Sequence, residues 1–300
     1  MPRTYFGPYE EKNNTYVNGG NANLGRKSLG TRLVVPDGRM YRYALNDGTV
    51  EVAGNLYQSV APLTGHTNRA CDVVRAIGAT LVSATLATTL AGIDIYAEGV
   101  AHVNATPGEG YAYRIKRAMT AGAAHAAAAA TGVLTVNLDA KESVQVALTT
   151  ASDLSFTRNR FHQVLIHPAP PTAGLAGVSP GVAAADRFYW SQIGGEAAVL
   201  ADGTLLAGLP VQASITTNGA VENEKTRVRT GSTAAADATT GSLLTDQDGA
   251  EVNVRVMTAA ITTTYDISGG IAYNAPLVGI CLKANADTEY ALIDLIYLGS

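Results

Sequence analysis

The chain has 300 residues, of which only 15% are charged, and its formal net charge is −4. This length is sufficient for one large β domain or two smaller ones, with cores that need no disulfide support. The acidic balance argues against a dedicated nucleic-acid binder, and no segment approaches the roughly 18 uninterrupted apolar residues of a membrane-spanning helix.

The low density of charge predicts that neighbouring subunits cover part of the surface. The alternative is a surface of Thr, Ser and Asn, which is polar without charge. Cys71 and Cys281 lie far apart in the sequence, without disulfide spacing. We therefore expect two buried, unpaired thiols in a protein made in a reducing compartment, and the first residues show no apolar core of a signal peptide.

Residues 1–30 are predicted to form an extended N-terminal arm. They combine prolines, a Gly19-Gly20 pair and five Asn with four aromatic residues, and no helical or strand period is present. Such a segment becomes ordered when its rings find pockets on a partner, although a disordered tail is the alternative. The candidate partner contacts are Tyr5, Phe6, Tyr9 and Tyr16.

Residues 31–167 are predicted to form a first β domain. Pro36-Asp37-Gly38 is a turn before a strand over residues 40–45, and Asn46-Asp47-Gly48 predicts a hairpin with residues 49–60. Further strands are predicted at 79–86, 93–104, 110–116, 133–138, 144–148 and 163–167. Regular spacing of this kind is typical of an antiparallel sandwich or barrel.

At most short helices are expected. The Ala-rich segment 121–132 favours a loop or a short helical insertion, and residues 68–78 offer Val73, Val74 and Ile77 at helix-like spacing, although a β interpretation competes. Local Arg and Lys clusters, at residues 26–32 and 114–117, are interpreted as solvated strand ends.

Residues 168–300 are predicted to form a second β domain, after a Pro-rich linker at 168–171. Gly194-Gly195, Asp202-Gly203 and Gly208 predict successive hairpin turns around the only Trp, Trp190, which we expect in the core. A polar loop region follows at about 223–250. The last strands are predicted at 252–264, 277–283 and 289–298.

A search for chemistry predicts no catalytic, cofactor-binding or metal site, and hence no enzyme. Gly177–Gly181 matches the G-x-S-x-G pattern of a nucleophile elbow, but Pro180 directly after Ser179 spoils its strand-to-helix context. His162 and His167 fall on opposite faces of an extended strand, so they cannot share a metal ion. Asp246–Glu251 resembles only half of a calcium loop.

Four segments, in order along most of the chain, carry a resemblance to a family. They are LGTRLVVPDGRMYRYAL (29–45), YAEGVAHVNATPGEGYAYRIK (96–116), residues 161–221 and VGICLKANADTEYALIDLIYL (278–298). The chain resembles the structural proteins encoded beside the major capsid gene of tailed bacteriophages, in particular the head decoration, or cement, proteins.

The resemblance implies a β-rich trimer on the outside of the icosahedral shell, where it binds the major capsid protein and clamps capsomers against internal DNA pressure. It implies assembly in the bacterial cytoplasm and location in the virion, with no cofactor, no direct nucleic-acid contact and no membrane contact. A tail or fibre host-binding module is the alternative. An esterase or peptidase would need Ser179 or another nucleophile.

Overall fold

A computed structural model describes residues 4–17, 27–88, 95–116, 132–224, 244–245, 251–252 and 275–298. These residues form β-strands and two short 3-10 helices, Tyr9–Asn13 and Thr64–His66, and contain no α-helix. The prediction of an all-β fold is confirmed. Within the same residues, no helix has the length and apolar character needed to cross a membrane.

The strands before residue 100 are β1 (Thr4–Phe6), β2 (Tyr16–Val17), β3 (Arg32–Val34), β4 (Met40–Leu45), β5 (Leu56–Gln58), β6 (Arg69–Ala70) and β7 (Leu81–Thr85). They are followed by β8 (Val100–Val103), β9 (Ala112–Arg114), β10 (Val133–Asn137), β11 (Asp153–Thr157), β12 (Leu165–Ile166) and β13 (Leu175–Val178). The remaining strands are β14 (Arg187–Leu200), β15 (Pro210–Ala213), β16 (Val221–Asn223), β17 (Leu244–Thr245), β18 (Glu251–Val252), β19 (Leu277–Lys283) and β20 (Tyr290–Leu295).

The largest sheet has 12 strands, with the main path β1-β3-β4-β14-β20-β19-β15-β16. The longest strand of this sheet is β14, which has 14 residues. The first part of β14 pairs antiparallel with β4, with Trp190 opposite Tyr43, and the second part pairs with β20, with Ala197 opposite Ile293. One strand therefore belongs to two halves of the sheet.

Gly194-Gly195 marks the point where β14 changes partner, and the predicted hairpin turn there is wrong. The register with β4 shifts between Gln192 and Gly194, which is a β-bulge. Gly195 has a φ of +78°, and a Cβ at this position would lie 3.2 Å from the Cα of Arg39. Glycine is needed here because the strand bends while another backbone approaches closely.

Several other sequence predictions are confirmed. β3 and β4 pair antiparallel around the Pro36-Asp37-Gly38 turn. Gly203 and Gly208 have positive φ, as turns require, but the predicted hairpins there are wrong, because the next strand, β15, pairs with β16 and β19. β19 has the predicted bounds, and β20 lies inside the predicted 289–298.

The core around the first part of β14 is aromatic. Trp190 is fully buried, as predicted, and its ring meets that of Tyr43 edge-on at 5.0 Å between centroids. Phe188 also stacks on Tyr43, at 5.4 Å between ring centroids. The second part of β14 contributes Ala197 and Val199 to a separate, aliphatic core.

The described residues between 63 and 157 form an insertion with a core of its own. Leu165 and Ile166 of β12 pair with Gln58 and Tyr57 of β5, so the chain leaves the large sheet and returns to it at neighbouring strands. Between these points lie the sheet β6-β11-β8-β9 and the pair β10-β7. The buried residues of this insertion, for example Tyr96, Leu134 and Phe156, form one cluster.

The predicted hairpin between residues 40–45 and 49–60 is wrong, because β4 pairs with β3 and β14 whereas β5 pairs with β12 and β13. The predicted division into 31–167 and 168–300 also differs from this arrangement. Residues 168–171 form a loop between β12 and β13, which both pair with β5. By internal contacts, residues 1–224 and 275–300 form one unit and residues 225–274 form another, in which β17 pairs with β18.

Two local expectations are replaced by irregular structure. Residues 68–78 contain β6 and turns, and the three residues at helix-like spacing are exposed: Val73, Val74 and Ile77. In the predicted strand 144–148, only Leu148 forms a bridge, with Arg75. The Ala-rich segment and most of the predicted loop 223–250 and strand 252–264 lie outside the described residues.

Candidate interaction surface

The N-terminal arm lies on the body of its own chain. β1 pairs parallel with β3, with Tyr5 opposite Leu33, and β2 pairs antiparallel with β14, with Tyr16 opposite Phe188. β1 is the terminal strand of the path through the large sheet, so its outer edge has no strand partner within the described residues. An unpaired edge is a template for contact with another chain.

The four aromatic residues predicted as partner contacts divide into two groups. Phe6, Tyr9 and Tyr5 are exposed, with relative exposures of 77%, 44% and 36%. Tyr16 instead packs against the core, with its ring 6.0 Å from that of Tyr43. The first three residues are therefore available to a partner, whereas Tyr16 fastens the arm to its own chain.

Glu11 is the polar anchor of the arm. Its Oε1 accepts hydrogen bonds from the Tyr16 hydroxyl at 3.0 Å, from Trp190 Nε1 at 3.3 Å and from Lys27 Nζ at 3.4 Å. Burial acts to raise the pKa of Glu11, but the hydrogen bond from Tyr16 and the positive charge of Lys27 outweigh it, and the pKa is lowered. The carboxylate thus joins the 3-10 helix to the aromatic core.

Lys27 completes this anchor. Its Nζ lies 4.3 Å from the centroid of the Tyr5 ring and 5.6 Å from that of Trp190, which are cation–π distances. Sequence reasoning assigned Lys27 to a solvated basic cluster and missed Glu11. The pattern could not reveal this contact, since residues 11, 27 and 190 meet only through the fold.

A groove of about 460 Å³ lies beside the arm. Lys12 of the 3-10 helix and Arg39 line one part of it, and the exposed side chains of Val52, Val182 and Tyr290 line another. Burial and the nearby charge of Arg39 lower the pKa of Lys12. We call the three exposed aromatics of the arm together with this groove the arm surface.

Ser179, considered as a nucleophile, and His162 and His167, considered as metal ligands, are all buried in the fold. Ser179 is buried, and its hydroxyl donates to the carbonyl oxygen of Gly181 at 2.6 Å. The ring nitrogens of His167 lie 2.9 Å from the carbonyl oxygens of Pro168 and Ala220. His162 is buried as well, and burial lowers its pKa to about 4.

Metal and thiol chemistry were also considered. The described part of the chain contains no group of three or more His, Cys, Asp or Glu side chains close enough to hold a metal ion. Cys71 and Cys281 are free and buried, as predicted. Burial raises the pKa of both thiols, which keeps them protonated and unreactive.

The chain was compared with protein-family models, with curated proteins and with solved structures, and none of the three comparisons found a match.

Proposed function

We propose that this chain is a structural protein of the virion of a tailed bacteriophage, and that it decorates the outside of the head by binding the major capsid protein. The observation that carries the proposal is the arm surface. A β-strand at a sheet edge presents Phe6, at 77% exposure, beside Tyr5 and Tyr9. The family resemblance of the sequence supplies the identity of the partner.

The physical chemistry of the arm suits adhesion. An exposed phenylalanine in water is unfavourable, and its burial at an interface contributes about 1.5–3 kcal/mol. Aromatic side chains supply large contact areas while few torsions are frozen. Because a symmetric shell repeats the contact many times, modest contacts at each site add up to strong retention.

We further propose that the protein is a trimer on the shell. The low proportion of charged residues supports subunit contacts over part of the surface, as does the apolar lining of the groove. The exposed aromatic residues of the arm can then bind either a neighbouring copy or the capsid protein, while Glu11 fixes the arm to Trp190 of its own chain.

The location of the protein on the particle tests this function. Cryo-electron microscopy of purified particles of the phage that encodes the chain should show three copies clustered on the outer surface of the head. Density for the chain at the tail tip or in a fibre would instead support a host-binding module. Absence of the chain from the particles would overturn both proposals.

A further inference from the structure

A second cavity, of about 340 Å³, lies where the insertion meets the large sheet. Four arginines line it: Arg42 on β4, Arg114 on β9, and Arg158 and Arg160 in the segment that returns from β11 to the sheet. Among the described residues, Glu98 is the only acidic one in the lining. The formal charge of the cavity is therefore +3, from four arginines and one glutamate. We call it the arginine pocket.

Three of the four arginines of the pocket donate hydrogen bonds to neutral acceptors. Arg42 donates to the carbonyl of Gly30 at 2.7 Å and to the hydroxyl of Tyr297 at 3.0 Å. Arg158 donates to the side chain of Gln163 at 2.7 Å, and Arg160 donates to the carbonyl of Leu175. In the described ranges none of these guanidinium groups forms an ion pair with a carboxylate.

Some N–H donors of the arginines in the pocket remain without an acceptor in the described part of the chain. Nε of Arg42, Arg158 and Arg160 is buried and has no hydrogen-bond partner within the described residues. Burial lowers the pKa of Arg158 and of Arg160, and the positive charge of Arg42 lowers that of Arg160 further. Partly buried cations that repel each other are costly unless an anion joins them.

The segment that carries two of these arginines is fixed in place. Between them, Asn159 donates from Nδ2 to the carbonyl of Glu98 at 3.1 Å and accepts at Oδ1 from the backbone N–H of Phe161 at 2.9 Å. Leu45 of β4 donates its backbone N–H to the carbonyl oxygen of Phe161 at 2.9 Å. The insertion and the large sheet therefore both hold the segment, and the site exists before any ligand arrives. Preformed sites of this kind bind with little ordering cost.

We infer that the arginine pocket binds a small oxyanion of the phosphate class. Guanidinium groups bind phosphate and carboxylate oxygens through paired N–H donors. A carboxylate would neutralise one of the three positive charges, whereas a divalent phosphate neutralises two, so the charge balance favours phosphate. The bound anion would join the insertion to the large sheet, and this inference does not depend on the proposed function.

Thermal unfolding at constant ionic strength, with chloride exchanged stepwise for inorganic phosphate, tests the inference. A ligand that binds only the folded state raises the unfolding midpoint, and we expect an increase of about 5 °C at saturation. Acetate at the same ionic strength should give a much smaller shift. An equal shift in acetate, or no shift in phosphate, would overturn the assignment.

Variants localise the effect. Arg158→Gln with Arg160→Gln should abolish the response to phosphate, whereas Lys283→Gln, which removes an exposed charge on β19, should leave it unchanged. Calorimetric titration of the wild-type protein with phosphate should give one site per chain. A double variant that folds and still responds to phosphate like the wild type would contradict the site, as would a stoichiometry well above one. If the double variant does not fold, the wild-type titration alone decides.

Discussion

Glu51 illustrates how a single buried group sets the pH dependence of stability. Its side chain is 2% exposed, and Oε2 has no hydrogen-bond partner within the part of the chain that the structure describes. Burial raises the pKa of Glu51 from 4.5 to about 9, although the nearby hydroxyls of Tyr189 and Tyr57 act in the opposite direction. The folded protein therefore holds this carboxyl in its neutral form at pH 7.

The sign of the effect follows from proton linkage. Between pH 4.5 and 9 the folded state binds a proton at Glu51 that the unfolded state has released, so the free energy of unfolding falls as pH rises through this window. Between pH 4.5 and pH 7 this proton linkage lowers the free energy of unfolding by about 3 kcal/mol. The stabilisation is largest at acidic pH and is lost by alkaline pH.

Glu51→Gln should remove this dependence, because an amide has no proton to release. We expect the variant to be more stable than the wild type at pH 8, with the difference disappearing towards pH 5, as measured by urea unfolding. Glu109→Gln, at an exposed position, is the control and should follow the wild type. A wild-type slope that persists in Glu51→Gln would show that another group is responsible.

At the scale of elements, the arm is a separable segment held by few contacts. Glu11 is the main polar contact, and its pKa is lowered in the folded protein, so its stabilising contribution is present at neutral pH. As the pH falls through the lowered pKa, protonation removes the attraction to Lys27 and the arm should loosen. The charged hydrogen bonds and the ion pair together contribute about 1–2 kcal/mol.

Trp190 is the only tryptophan, and Glu11 accepts from its indole N–H, so its fluorescence reports on the arm directly. Glu11→Ala should shift the emission of Trp190 at neutral pH and abolish its acid transition, while the body stays folded. The neighbouring exposed residue gives a matched control, Glu10→Ala, which should behave like the wild type. Identical spectra for the wild type and Glu11→Ala would exclude this anchor.

The sequence predicts elements well where the determinants are local. The Pro36-Asp37-Gly38 turn and β19 follow from turn residues and apolar runs that lie within a few positions of each other. Gly194-Gly195 has the same local signature as a turn, yet it is a bulge. The difference arises because β14 finds β4 on one side of the bulge and β20 on the other, and neither partner is visible in the local pattern.

At the scale of the whole molecule, long-range pairing decides the organisation. Residues 58 and 165 are paired in the sheet, so the chain segment between them is an insertion. Local turn signals in the sequence cannot reveal this long-range pairing. The arginine pocket escaped prediction for the same reason, since its arginines come from residues 42 to 160. By contrast, the exposed aromatics of the arm are recognisable in sequence, because a polar segment without periodicity rarely carries so many rings.

The binding of purified protein to phage heads that lack it tests most directly whether the arm surface attaches the chain to a capsid, as proposed. Burial of one phenylalanine corresponds to about 10- to 100-fold in affinity. Phe6→Ser should therefore lower occupancy at least about 10-fold without changing the unfolding midpoint, whereas Ile77→Ser, at a similarly exposed position of 69%, should bind normally. Equal occupancy by Phe6→Ser and the wild type would contradict the claim.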